Sequence, residues 1–130
     1  PKTTFRIGAR AFRNCQQLSG INLVDHLHLI EDGAFMECKM LQDISLPFHL
    51  QRLQRGAFAQ CISIRSVTLN KRLKEIGDGA FYQCRSLREI QWNDSIRSIG
   101  TEAFMECKYL PTPHLPDTVS VGKNAFKGCK

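Results

Sequence analysis

What the chain lacks narrows it first. No apolar run reaches the length of a membrane-spanning helix, and no basic stretch leads into a short apolar one as in a secretory signal. G-x-S-x-G, H-E-x-x-H, G-x-G-x-x-G and G-K-[ST] are all missing, which removes the usual marks of serine hydrolases, zinc proteases and phosphate-cradling loops. No C-x-x-C pair occurs, so the six cysteines do not read as a zinc ribbon. Aromatics other than phenylalanine are scarce, with one Trp and two Tyr against eight Phe, so bases would find few stacking platforms. Acidic residues are outnumbered 12 to 18, for a formal net charge of +6, and none falls between Arg52 and Lys74. That balance favours an anionic partner without naming one.

What is present is a period. Phenylalanine recurs at 12, 35, 58, 81, 104 and 126, cysteine at 15, 38, 61, 84, 107 and 129, and alanine precedes every one of those phenylalanines. A fixed spacing in the twenties that mixes a short helical pattern with a short strand pattern predicts a solenoid of the leucine-rich type. The chain divides into coils at about 7–29, 30–52, 53–75, 76–98, a shortened 99–120 and a partial 121–130. Residues 1–6 read as the tail of a preceding coil, with Pro1 matching Pro47 and Pro116. The expected architecture is one α/β solenoid domain over 1–130, of about five to six coils of 22–23 residues, cut from a longer array.

Within a coil the apolar spacing changes. Ala34, Phe35, Cys38 and Leu41 mark a stripe compatible with a helix of two turns at most, so short helical arms are expected. Ile44 and Leu46 alternate with Asp43 and Ser45, and their counterparts Ile21/Leu23, Val67/Leu69 and Ile90/Trp92 predict a stacked parallel sheet on one wall. A third inward pair, such as Leu50/Leu53, reads as a bend or a second extended segment. Pro111, Pro113 and Pro116 predict a short or bulged strand in the fifth coil. The cysteines all occupy one column; free buried thiols are the leading reading and vertical disulfides the second.

The unit Ile-Gly-x-x-Ala-Phe-x-x-Cys-x-x-Leu, followed by Leu-Pro as in Leu115-Pro116, resembles the repeat of the BspA-like (Treponema-type) leucine-rich repeat proteins. The likeness covers essentially the whole chain. It implies a non-catalytic protein-binding role, often adhesive, and an extracellular or cell-surface location. Glu31 and Gln54 in place of the first-turn glycine, and Asn70 and Asn93 where proline is common, read as repeat drift.

The leading functional expectation is a protein–protein interaction module without catalytic residues, cofactor, metal or membrane insertion, accompanied by flanking repeats. The contacts are expected on the outward face of the strand wall, at Asp43, Phe48, Arg65, Thr68, Arg88 and Gln91. The alternatives are a structural scaffold or spacer subunit of a larger assembly, and weak anion or nucleic-acid binding through the basic 52–74 region, with nucleic acid disfavoured. Asp32, Arg55 and Asp78 alternate in one column, and Arg52 faces Glu75 in another, which reads as pairing between coils. Met36, Ala59, Tyr82 and Met105, with Met40 and Tyr109 beside them, form an apolar strip that is either cover for neighbouring coils or a docking face. His26, His28 and His49 read as surface residues rather than a metal site, and Asn93-Asp94-Ser95 is a glycosylation sequon.

Overall fold

A computed structural model describes residues 6–23 and 25–130. Pro1 therefore lies outside the described residues. The chain winds as a three-walled solenoid. Two walls are parallel sheets and the third is a tier of turns.

The longer sheet is formed by β1 (Arg6–Ile7), β2 (Leu29–Ile30), β4 (Arg52–Leu53), β6 (Glu75–Ile76), β8 (Ser98–Ile99) and β9 (Ser120–Val121), in that spatial order. Pairing is in register at one coil per rung, Ile30 with Leu53 and Leu53 with Ile76. This is the third inward cluster, and it resolves to an extended segment. Among the described residues the shorter sheet holds only β3 (Ile44–Ser45), β5 (Ser66–Thr68) and β7 (Glu89–Gln91). It stops at one end where the prolines begin, and at the other the expected Ile21/Leu23 rung forms no strand. Arg88 donates its N–H to the Arg65 carbonyl at 2.8 Å, and the next residue in that column is Pro111, which has no N–H to donate.

The expected helical arms are absent among the described residues, so the fold is an all-parallel β-solenoid and not an α/β one. The third wall is a run of β-turns. In the second coil Ala34, Met36 and Cys38 donate to the carbonyls three residues earlier, Glu31, Gly33 and Phe35, at 3.1–3.2 Å. The N–H groups between them, of Gly33, Phe35 and Glu37, each donate 2.8 Å sideways to Arg55, Ala57 and Ala59 of the next coil. An α-helix needs every N–H for its own i−4 carbonyl, so lateral bonding excludes it. Gly33 (φ 63°) and Glu37 (φ 61°) take the left-handed conformation that the third position of a type II turn requires. A three-residue apolar spacing suits successive turns as well as a helix, which is why the pattern misled.

The interior is a set of columns. The six phenylalanines stack in parallel, with neighbouring ring centroids 5.1–5.5 Å apart. Beside them the cysteines are free. Each Sγ from Cys38 onward donates to the carbonyl of the phenylalanine in the preceding coil, as from Cys61 to Phe35 at 3.1 Å. The cysteine is therefore a rung-to-rung donor besides a small filler. Burial pushes the thiols of Cys61 and Cys107 up to about 12, and that of Cys84 well above its ordinary value.

Gly77 is required by another close approach. A Cβ there would stand 2.8 Å from the Leu53 carbonyl oxygen and the Gln54 carbonyl carbon of the coil before it. Gly100 and Gly122 meet backbone in the same way. This column serves tight stacking of coils, whereas Gly33, Gly56 and Gly79 serve the turn.

Candidate functional site

The shorter sheet presents its outward side chains in columns one coil apart. Ser45, Thr68 and Gln91 share one, Asp43, Ser66 and Glu89 a second, and Arg65 with Arg88 a third just before the strands. Arg65, Arg88 and Gln91 are exposed, and Thr68 is half-buried. Asp43 is exposed too, but its Oδ1 accepts the N–H groups of Arg65 and Ser66 at 3.2 and 3.1 Å. Its carboxylate thus ties one coil to the next at the entrance to β5.

Phe48 lies apart from the arginines. It sits in the turn beyond β3, six positions along the coil from the Arg65 column, so about 20 Å of extended chain separates the two edges of the wall. Its ring is 49 % exposed and carries the Arg72 guanidinium 4.9 Å from its centroid. The His49 ring meets it edge-on at 4.9 Å, and Arg72 Nη1 lies 3.3 Å from His49 Nδ1. At the opposite edge Arg88 covers Tyr109, 5.3 Å from that ring's centroid. The wall therefore has two cation–aromatic corners with a polar face between them. Arg72 and Phe48 differ by 24 residues and Tyr109 and Arg88 by 21, each close to one period, so the spacing brings each pair near without fixing the contact.

The basic 52–74 stretch does not form one surface. Arg52 is on β4 in the longer sheet, Arg55 in the turn wall, Arg65 at the start of β5, and Lys71 and Arg72 in the turn that follows β5. A run of one period circles the solenoid axis; only residues one period apart gather on a face. Nor do the alternating charges pair as the columns imply. Asp32 and Asp78 use Oδ1 to accept the backbone N–H of Arg55 and of Thr101, at 3.1 and 2.9 Å. Among the described residues the side-chain ion pairs are Arg6–Glu31 and Arg13–Glu37, both near the first coil.

Asn70 and Asn93 are more than drift. The Asn70 Nδ2 donates to the carbonyls of Phe48 and Leu50, and the Asn93 Nδ2 to those of Asn70 and Leu73, at 2.6–3.1 Å. Each asparagine holds the corner of the coil before it. Asn93 Oδ1 also accepts from Ser95 and Ile96, so the amide of the sequon is committed to the fold. In the apolar strip Met36, Tyr82 and Met105 are half-buried, while Met40 and Tyr109 are exposed. No cluster of three His, Cys, Asp or Glu able to hold a metal occurs among the described residues. No helix of the described structure is long and apolar enough to cross a membrane.

The comparison with known families decides the identity of this architecture. The model of the BspA-type leucine-rich repeat region matches residues 1–130 in six copies. The chain belongs to the BspA-type leucine-rich repeat family. A leucine-rich cell surface protein of Faecalibacterium prausnitzii is similar, with 31 % identity and TM-score 0.84 over 96 % of this chain and 34 % of that one. A leucine-rich repeat protein of Bacteroides ovatus aligns at 27 % identity and TM-score 0.82, over 99 % of this chain and 40 % of its own. The Treponema pallidum leucine-rich repeat protein aligns at 26 % and 0.74, over 95 % and 69 %. No curated protein matches the sequence. This BspA-type chain is a leucine-rich repeat region that spans only 40 % and 34 % of the lengths of the Bacteroides and Faecalibacterium proteins.

Proposed function

We propose that this chain recognises a protein partner at a cell surface through the outward face of the shorter sheet and its edges, as one stretch of a longer repeat array. The observation that carries the reading is the contrast between columns. The inward Ala, Phe and Cys columns hold one residue type through six coils, whereas an outward column of the wall changes at every rung, as in Asn22, Ser45, Thr68, Gln91 and His114. Variation on a rigid, repeated frame is how solenoids supply individual binding surfaces. The cell-surface placement is supported by the description of the Faecalibacterium relative. Of the expected contacts, Arg65, Arg88, Thr68 and Gln91 are proposed to meet the partner directly, with Phe48 at the far edge and Asp43 setting the backbone beneath them.

The test is affinity capture from the source cells with the native chain and with an Arg65→Asp, Arg88→Asp double variant. Recovery of a defined protein by the native chain and its loss with the variant is the expected result. Equal recovery by both would move recognition off this wall. Absence of any defined protein, at native folding, would favour the scaffold reading.

A further inference from the structure

The corner between the turn wall and the shorter sheet has a chemistry of its own. Its turns fall at 39–40, 62–63, 85–86 and 108–109, stacked one coil apart, and the Ser63 hydroxyl donates to the Lys39 carbonyl at 2.6 Å across one such step. Lys39, Arg85 and Lys108 occupy one column, and Arg65 and Arg88 stand beside it at the sheet edge. All five are exposed, and none forms an ion pair among the described residues. Acidic groups stand at the margins only. Asp43 is bonded to the Arg65 and Ser66 N–H groups, Glu37 is paired with Arg13, and Glu89 and Glu106 remain.

Between these cations lie exposed apolar side chains: Met40 at 51 %, Ile62 at 39 % and Tyr109 at 56 % exposure. Three coil steps at about 5 Å give the ridge a length of roughly 15 Å, the span of four or five extended residues. We propose that this ridge binds an extended protein segment in which acidic and apolar residues alternate, the acids on the five cations and the apolar side chains against Met40, Ile62 and Tyr109. The proposal rests on the protein-recognition reading and names the chemistry of its partner. A nucleic acid would need flat aromatic faces for its bases, and the Tyr109 ring already carries Arg88. A sulfated glycan would meet the charges and leave the apolar side chains uncovered.

The probe is a labelled synthetic peptide alternating Asp and Leu, titrated against the chain beside an Asp–Ser peptide of equal charge, a heparin oligosaccharide and a single-stranded oligonucleotide. The Asp–Leu peptide should bind at least about tenfold more tightly than the Asp–Ser peptide. Lys39→Glu with Arg85→Glu should weaken it by about tenfold or more, and Met40→Ser with Ile62→Ser by a few-fold. Arg72→Glu, the same charge change at the opposite corner, should leave it unaltered. Equal binding of both peptides, of heparin or of the oligonucleotide, or an equal loss with Arg72→Glu, would reduce the ridge to a general polyanion patch and overturn the proposal. Urea midpoints of all variants, expected unchanged at exposed positions, exclude misfolding as the cause. In cell capture, a defined partner kept by the Lys39→Glu, Arg85→Glu variant overturns the ridge while recognition elsewhere stands. Peptide binding with no captured partner fails the recognition reading instead.

Discussion

The turn wall and the shorter sheet are made from the same coils, and only one of them repeats without interruption. Six phenylalanine rings stack from Phe12 to Phe126, yet among the described residues the strands beside them register in three coils only. The turn wall bonds sideways through backbone N–H groups that every coil supplies, and packs one ring shape on itself. The sheet depends on an N–H in each column, and Pro111 withdraws one. Regularity in this molecule follows backbone donors and buried volume; outward side chains are free to vary because they fill no buried volume, and only a proline among them costs the sheet a donor.

Breaking the regular wall should have the largest effect. Phe58→Ala removes a fully buried ring stacked at 5.1 and 5.5 Å on its neighbours, and should cost about 3–5 kcal/mol in urea unfolding. Phe126→Ala, at a half-buried ring, should cost distinctly less. The same wall sets an alkaline limit. The thiols of Cys61 and Cys107 are raised from an ordinary 9.0 to about 12 by burial, so the unfolded chain loses their protons first. Stability from this source should be full below pH 9 and fall as pH climbs toward 12, read from urea midpoints in a pH series.

Between the extremes lie the close approaches. Gly77→Ala places a Cβ against the backbone at Leu53 and Gln54 and should destabilise by about 2 kcal/mol, whereas Gly20→Ala, with no neighbouring atom within 4 Å, should change the midpoint little. Asn93→Ala leaves the carbonyls of Asn70 and Leu73 without its amide and should cost about 1–2 kcal/mol. The smallest effect should come from mending the irregular wall. Pro111→Ser restores a donor opposite Arg88 and should gain roughly 0.5–1 kcal/mol, with the newly created amide at that position protected from exchange.

The period, the coil boundaries, the buried columns and the family were all legible in the sequence, because a residue repeated at one pitch has one environment. Phe35, Cys38 and Leu41 announce a packed interior whatever the backbone does between them. Whether that backbone is helix or turn was decided in three dimensions, since spacings of three fit both and only the next coil's carbonyls draw every second N–H sideways. The candidate site divides likewise. Stacking of Arg65 on Arg88 is a matter of period and could be read directly. Contact of Arg72 with Phe48, the capping of Arg65 by Asp43, and the dispersal of residues 52–74 around three walls depend on where each corner falls. A linear chain records which residues recur; the circumference of the coil determines which of them meet.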